Sequence, residues 1–420
     1  MDQILPRTVL ALWLLLVAGR TAHSGDWPQI LGPQRDAVAT ASKLTIQKWD
    51  QSGPRLLWER PVGEGVAGVA VSEESGILFH RVGDDEVVER FDPSTGKVIW
   101  KDAYPTTFRP QVGGEAGPLC VPAISGNHVV TFGAQGVLSC YDLQSGKRLW
   151  RRKTHDDFDA REGYFGAGSS PLISEDRVIV NVGGFRSDAG VVAFKLADGE
   201  TLWHVFNDHA SYSSPRMVEI DGKPRVVVEC RLTCLGLDPA DGRVVFQFPF
   251  GSRGPTVNGA NPVMVSGKLF LSASYGIGAM LVSVDGDEPQ TLWSGDDLYS
   301  SQYCTPAVDG DVLYGVDGRQ DGPPGDLKCF DPLQQRILWT APGFGYGTLI
   351  LADGKLLILR TDGTLVLATA NRERFDPLCS AQVLRGTARA LPALADGRLF
   401  VRDETTLRCF QLGATSPGQD

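Results

Sequence analysis

The stretch Cys140-Tyr-Asp-Leu-Gln-Ser-Gly-Lys-Arg-Leu-Trp150 decides the fold, because it recurs along the chain. Related stretches are Arg90–Trp100, Ala193–Trp203, Gly236–Phe246, Ser283–Trp293, Cys329–Trp339 and a degraded copy, Ala368–Leu378; Cys409-Phe-Gln begins an eighth. The apolar residues that end these stretches lie 39 to 53 residues apart. Even spacing of this kind indicates a repeat architecture.

Each copy predicts two strands joined by a tight turn, in which Asp bonds nearby backbone N–H groups and Gly adopts a positive φ. Two more short strands precede each copy, and in the second unit they are separated at Ser125-Gly126. The repeat is therefore four antiparallel strands, A to D, which is one propeller blade. We predict an all-β, eight-bladed propeller.

Small residues open the motif at Cys140, Ala193, Gly236, Ser283, Cys329, Ala368 and Cys409, whereas Arg90 departs from this pattern. The small slot indicates close packing between blades. The large apolar residue ten positions later is predicted to dock on the neighbouring blade. These predicted docking residues are Trp58, Trp100, Trp150, Trp203, Phe246, Trp293, Trp339 and Leu378.

Ring closure is predicted from an orphan stretch, Leu56–Arg60, which has the pattern of a fourth strand but precedes the first blade. The eighth blade lacks its outer strand. We expect Leu56–Arg60 to supply it, because a closed ring leaves no open sheet edge.

Composition narrows the function. The 420 residues include 49 Gly, and the formal net charge is −10 with no run of Lys or Arg. An acidic chain without a basic patch is a poor candidate for binding nucleic acid or an anionic membrane.

The N-terminus has the order of a secretory signal peptide: Arg7, an apolar run over residues 8–19, and small residues at Ala22 and Ser24. We predict a signal peptide over 1–24, a lead-in over 25–54, the propeller over 55–413 and a flexible tail over 414–420. The first cysteine is Cys120, so no lipid anchor is expected. The predicted location is periplasmic or extracellular.

The repeated small-Φ-Asp-x-x-x-Gly-Lys-x-Φ-Trp unit resembles the tryptophan-docking repeat of pyrroloquinoline quinone (PQQ)-type propellers. That family includes quinoprotein alcohol dehydrogenases and BamB-type assembly lipoproteins, and the resemblance covers about residues 55–413. The dehydrogenases hold the quinone beside an adjacent Cys-Cys disulfide, with Ca²⁺, an Asp base and a stacked Trp. This sequence has no Cys-Cys pair and no Cys-x-x-Cys-His.

We therefore expect a non-catalytic scaffold without a cofactor, PQQ and calcium being the alternatives. The expected partners are unidentified proteins of the cell envelope, not nucleic acid, and the chain is expected to be a monomer that does not span a membrane. A quinone-dependent oxidoreductase and a carbohydrate- or peptide-binding propeller remain alternative functions.

Other polar motifs are weaker. Asp157–Gly163 resembles the start of a calcium loop, but Arg161 occupies a ligand position. Ser169-Ser170-Pro171 lacks the second Gly of a nucleophile elbow, and Gly276-Ile-Gly278 lacks the third Gly of a dinucleotide loop. We interpret the first as a solvated loop and the others as strand starts and turns.

The working surface is predicted on the face that carries the D-to-A and B-to-C loops, because these loops are long and rich in Tyr and Arg. The C-to-D turns of the opposite face are minimal. The candidate binding residues are Phe108, Arg109, Phe158, Arg161, Tyr164, Phe165, Tyr212, Arg253, Tyr275, Tyr299, Tyr303 and Arg319.

The eight cysteines are predicted to be mostly free, buried thiols. Cys120 and Cys140 are assigned to strands A and C of one blade, as are Cys304 and Cys329, and an intervening strand separates each pair by about 10 Å. The motif alignment pairs Cys230 with Thr233, so Cys234 faces the opposite side.

Overall fold

The computed structural model describes residues 25–39, 46–50, 52–254, 256–286 and 288–413. The predicted signal peptide and C-terminal tail lie outside these residues. Each repeat folds into an antiparallel meander, and the eight meanders form an eight-bladed propeller. No helix in these ranges is long and apolar enough to cross a membrane.

The first four blades follow the chain in the order A to D. Their strands are Ala70–Ser72, Ser75–Val82, Asp85–Phe91 and Val98–Pro105 in blade 1; Ala123–Ser125, His128–Phe132, Val137–Asp142 and Arg148–Lys153 in blade 2; Leu172–Ser174, Arg177–Gly184, Ala189–Lys195 and Thr201–Val205 in blade 3; and Arg216–Ile220, Lys223–Glu229, Thr233–Leu237 and Val244–Pro249 in blade 4. A one-turn α-helix, Thr154–Asp157, follows blade 2, and a 3₁₀ turn, Phe185–Ser187, lies within blade 3.

The last four blades keep this order. Their strands are Val263–Val265, Lys268–Ala273, Gly278–Ser283 and Gln290–Gly295 in blade 5; Ala307–Asp309, Val312–Asp317, Asp326–Asp331 and Arg336–Ala341 in blade 6; Gly347–Ala352, Lys355–Arg360, Thr364–Thr369 and Asp376–Gln382 in blade 7; and Ala393–Ala395, Arg398–Arg402, Thr406–Gln411 and then Arg55–Pro61 in blade 8.

The predicted ring closure is confirmed. Strand Arg55–Pro61 pairs antiparallel with Thr406–Gln411, with Trp58 opposite Cys409. Arg60 of this strand also forms an ion pair with Glu89 of blade 1, at 2.5 Å between Nη2 and Oε1. The N-terminal strand therefore joins blade 8 to blade 1 through both backbone and side-chain contacts.

Tryptophan docking explains why the repeat needs both its Trp and its Gly. The Trp100 indole donates to the backbone oxygen of Leu143 in the next blade at 2.8 Å. A Cβ on Gly146 would lie 2.6 Å from the same ring, and the residue has a φ of +71°. Only Gly therefore fits under the ring in that turn. Trp58, Trp150, Trp203, Trp293 and Trp339 make the same kind of hydrogen bond to the following blade.

Two predicted positions in the repeat differ from the structure. In blade 7 the residue paired in the docking register is Cys379, opposite Leu367, while Leu378 lies in the bulge. In blade 5, Leu281 and not Ser283 pairs with Trp293. In both blades the stretch of chain between the paired residues of strands C and D is longer than in blades 1–4 and 6. A fixed length of eleven residues therefore does not align the motif with the strand pairing that the structure shows.

Arg90 fits at a position that most other repeats fill with a small residue because its side chain extends to the neighbouring blade 2. The residue pairs with Trp100 across the strands, and its guanidinium donates to the backbone and side-chain oxygens of Gln144, at 3.3 and 2.9 Å. The long side chain therefore bonds to blade 2 where a small residue would only pack.

All eight cysteines are free thiols, and seven are buried, Cys379 being partly exposed. Cys140 and Cys329 lie on C strands as predicted, but Cys120 and Cys304 precede their A strands instead of lying on them. Glu229 pairs with Cys234, and the Cys230 N–H donates to Thr233, which agrees with the predicted register at that turn.

The lead-in segment enters the centre of the ring, where the A strands meet. Trp27 bridges to Val71 of blade 1, and Val38–Ala39 pair in parallel with the A strand of blade 7. Between them, the Arg35 side chain is almost fully buried and donates to the backbone oxygens of Ser170, Pro171 and Pro215, which precede the A strands of blades 3 and 4. The lead-in, which we call the plug, therefore enters and leaves the channel beside the A-to-B turns of blades 1 and 7, and Arg35 extends from it to the starts of the A strands of blades 3 and 4. The loop end of the channel remains as a funnel.

Candidate functional site

The antiparallel meander places the D-to-A and B-to-C loops at one end of the ring, which we call the loop face; the A-to-B and C-to-D turns form the turn face. The loops bond to one another. The Gln111 N–H donates to Tyr164, and the Tyr212 N–H donates to the backbone oxygen of Asn258, at 2.9 and 3.0 Å. The loop face is therefore a continuous surface built from several blades.

One cavity on the loop face, of about 710 Å³, lies over blades 2 to 4. We call it the arginine cavity, after Arg161, Arg231 and Arg253 in its wall. Tyr164 and Tyr212 also line it, so it brings together four of the predicted residues, Arg161, Tyr164, Tyr212 and Arg253. Tyr164, Arg161 and Arg253 are exposed, and Tyr212 is partly buried.

A second cavity, of about 440 Å³, occupies the funnel. We call it the funnel cavity; its floor includes Ile30 of the plug, and its wall contains Phe165, Tyr212, Tyr275, Tyr303 and Arg389. Tyr303 donates to Gln320 at 2.8 Å, and Gln302 donates to the Tyr275 hydroxyl at 2.7 Å. Tyr212 belongs to both cavities and, with Phe165 at 6.0 Å between ring centres, forms the wall between them.

Two predicted residues border these cavities. Arg319 lies with its guanidinium 4.6 Å from the centre of the Tyr275 ring, a cation–π contact at the funnel rim. Arg109 is exposed and forms an ion pair with Asp84 at 3.1 Å. Both side chains are accessible on the loop face without lining the floor of either cavity.

Three predicted residues cannot contact a partner, because they are buried. Phe108 and Tyr299 are 1% and 0% exposed, and Phe158 is 9% exposed. Phe158 packs against Phe194 of blade 3, and the Tyr299 hydroxyl donates to the Cys304 backbone oxygen. These rings stabilise the loops from below and are not accessible on the loop face.

Several residues of the two cavities are missing from the prediction. His155, His209 and Arg231 line the arginine cavity, and Gln302, Gln320 and Arg389 line the funnel cavity. Arg231 lies in a B-to-C turn, as do Tyr275 and Arg319, so the rule that predicted those two residues could also have predicted Arg231. Burial lowers the pKa of His155 to about 4, so this side chain is neutral at pH 7.

The residues of the funnel wall do not fit the quinone and calcium that the resemblance to PQQ-type dehydrogenases implies. The described residues contain no group of three His, Cys, Asp or Glu side chains arranged to hold a metal ion. The carboxylates in the funnel wall are Glu115 and Asp321; Glu115 accepts from the Gly65 N–H, and Asp321 pairs with Arg319. Among the described residues, the funnel wall also contains no tryptophan on which a quinone could stack.

The comparisons with known proteins agree with this architecture. Residues 84–341 match the family model described as outer membrane protein assembly factor BamB. The outer membrane protein assembly factor BamB of Shewanella oneidensis is 20% identical in an alignment of 378 positions, which covers 75% of this chain and 89% of that protein.

Solved structures share the fold. The crystal structure of BamB from Moraxella catarrhalis matches with a TM-score of 0.63 and 15% identity, over 86% of this chain and all of that one. A quinohemoprotein alcohol dehydrogenase from Pseudomonas putida matches with a TM-score of 0.66 and 11% identity, over 94% of this chain and 81% of that one. A similar propeller thus occurs in an assembly factor and in an enzyme, so the fold alone does not determine the function.

Proposed function

Because this chain belongs to the family described as outer membrane protein assembly factor BamB, we propose that it is an exported, non-catalytic propeller whose loop face binds a protein partner in the cell envelope. The observation that carries this proposal is the different lining of the cavities on the two faces. The turn face also has a cavity, of about 610 Å³, but its described wall contains no Tyr and its charged residues are mostly acidic. The loop face has two cavities walled by Tyr and Arg. Long loops on a rigid scaffold are where binding sites usually lie.

The chemistry of the loop face supports a protein partner. Tyr and Arg are enriched among the residues that contribute most to protein–protein affinity. The exposed Tyr164 and Arg253 lie in one cavity wall, and Tyr275 stacks with Arg319 at the funnel rim. The turn face has short turns with Lys or Arg after the Gly, as at Gly146-Lys147, and its channel mouth is filled by the plug.

Two sets of alanine variants test the proposal. The loop-face set is Arg109, Tyr164 and Arg253; the turn-face set is Lys97, Lys147 and Arg243. All six side chains are exposed, so both triple variants should fold. A pull-down from the native envelope fraction identifies the partner, and its affinity for each variant is then measured by surface plasmon resonance.

We expect the loop-face variant to lose binding and the turn-face variant to bind like the unmodified protein. Equal binding by both variants, or loss only in the turn-face variant, would overturn the proposal. Intact folding of each variant is checked by its far-UV circular dichroism spectrum and melting temperature.

A second candidate function, binding of a small ligand, is favoured by one observation: the funnel cavity is closed below by Ile30 and walled by Tyr275 and Tyr303. Pockets for small ligands are mostly apolar with a few polar groups, as this one is. A screen of small carbohydrates and peptides by thermal shift tests it, with Tyr303→Ala as the variant that should abolish any shift.

A further inference from the structure

The arginine cavity has an unusual charge balance for this protein. The chain carries a net charge of −10, yet Arg161, Arg231 and Arg253 all line one cavity. No carboxylate oxygen of the described residues lies within 4.0 Å of any of these three guanidiniums. Elsewhere, the described part of the chain forms 23 ion pairs. Three cations thus share one concave surface without an anionic partner.

The acidic side chains nearby are already engaged. Glu162 is the one carboxylate in the described wall, and it accepts a hydrogen bond from Gln135 at 2.7 Å. Asp208, behind the wall, accepts the backbone N–H groups of His209 and Leu232, both at 2.8 Å. Asp159 at the outer edge pairs with Arg186 at 3.6 Å. Three guanidiniums against the single carboxylate of Glu162 leave the described wall with an excess of positive charge.

Arg231 is held in place, whereas the other two arginines are available. Its guanidinium donates to the backbone oxygens of Thr256, at 2.7 Å, and Gly254. A guanidinium has five N–H donors, so this arrangement leaves donors for a ligand. The Arg161 and Arg253 side chains are exposed and donate no hydrogen bond to any described group. Charged donors of this kind bind carboxylates with the strongest hydrogen bonds that proteins use.

The rim adds aromatic surface. His209 stacks on Phe185 with 5.1 Å between ring centres and 24° between planes, and Phe185 is 47% exposed. Tyr164, 38% exposed, lies in the cavity wall. Exposed aromatic rings beside unpaired guanidiniums are the composition of a protein interface.

We propose that the arginine cavity binds an acidic peptide segment of a protein partner, with carboxylate side chains on Arg161, Arg231 and Arg253 and an aromatic or apolar side chain on the rim. This inference rests on the proposed function, since it names the kind of partner segment that the loop face would bind. The three cations lie on three separate loops, 154–171, 230–232 and 250–262, and an acidic peptide that also carries aromatic side chains would complement both these charges and the exposed rings of the rim.

The experiment uses the full-length mature protein and synthetic peptides. A rhodamine-labelled peptide of four Glu-Tyr repeats is titrated with the protein at low ionic strength, and fluorescence anisotropy reports binding. The same peptide with Gln in place of Glu, inorganic phosphate and polygalacturonate, an acidic polysaccharide, serve as comparison ligands.

We expect the Glu-Tyr peptide to bind at least about tenfold more tightly than the Gln-Tyr peptide, since each charged hydrogen bond to a carboxylate contributes about that factor. The double variant Arg161→Gln/Arg253→Gln should weaken binding by about tenfold or more. The matched control Lys147→Gln/Arg243→Gln removes two exposed cations from the turn face and should bind like the unmodified protein.

Equal binding of the Glu-Tyr and Gln-Tyr peptides, equal binding by the two double variants, or preference for phosphate or polygalacturonate over the peptide would overturn the inference. The pull-down described above tests the proposed function independently of this inference. A partner that loses binding with Tyr164→Ala but not with Arg161→Gln/Arg253→Gln would keep the proposed function and overturn the acidic segment.

Discussion

Replacing Trp58 by alanine should open the junction at which the ring closes. The Trp58 indole donates to the Pro93 backbone oxygen at 3.0 Å and packs on Phe91 and Phe400, with ring centres 5.8 and 6.0 Å away. Losing the hydrogen bond costs about 1 kcal/mol, and losing the aromatic contacts costs about another 1 kcal/mol. With the apolar area that becomes exposed, we expect the free energy of unfolding to fall by about 3 kcal/mol.

Urea unfolding followed by far-UV circular dichroism measures this loss without depending on tryptophan fluorescence. Trp58→Phe keeps a ring and loses the hydrogen bond, so it should cost about 1 kcal/mol. Leu56→Ala, in the same strand at a side chain that is 44% exposed, should change the free energy by no more than about 0.5 kcal/mol. Trypsin should also cleave the N-terminal strand of Trp58→Ala faster than that of either control. Equal effects of Trp58→Ala and Leu56→Ala would refute the idea that this ring joins blade 8 to blade 1.

Three further perturbations probe the plug, the closure and the thiols. Arg35→Met should destabilise the protein by about 3 kcal/mol, because buried carbonyl oxygens of blades 3 and 4 lose their donor, and an unchanged melting temperature would contradict the role of the plug. Glu89→Gln should cost about 2–4 kcal/mol in a urea titration, because it leaves the Arg60 cation partly buried without its partner; a cost below that of an exposed ion pair would show that the contact does not matter. Burial raises the pKa of Cys140 and Cys409 to about 12 from 9, so these thiols stay protonated in the folded protein while they ionise in the unfolded chain. Their contribution to stability is complete below pH 9 and is lost as the pH rises towards 12, so the melting temperature should be lower at pH 10.5 than at pH 8, and equal values would contradict their burial.

The repeat could be predicted from sequence because one contact is made many times. Six tryptophans donate to the turn of the next blade, and four of them dock over its Gly, so the pattern recurs and its period can be counted. The predicted positions Ser283 and Leu378 are wrong, because a longer stretch of chain between the paired residues of strands C and D shifts the motif relative to the strand pairing.

The plug could not be predicted by the same reasoning. Arg35 contacts residues 135 and 180 positions away, and it lies outside the repeats, so their period does not predict the contact. A guanidinium buried among backbone oxygens leaves no periodic signal. Its role therefore appears only when the A strands are assembled around it.

The candidate site was predictable in its location and only partly in its residues. Topology alone assigns loops to faces, and Arg161, Tyr164, Tyr212 and Arg253 do lie together. Burial within a loop has no period, so Phe108 could not be distinguished from an exposed ring.

Photocross-linking tests the central claim, that the loop face binds a protein partner, most directly. A benzoylphenylalanine is placed at Tyr164 on the loop face or at Lys147 on the turn face, both exposed, and cells that express each variant are irradiated. We predict a covalent adduct with one protein partner from position 164 and none from position 147. Adducts from position 147 alone would contradict the account.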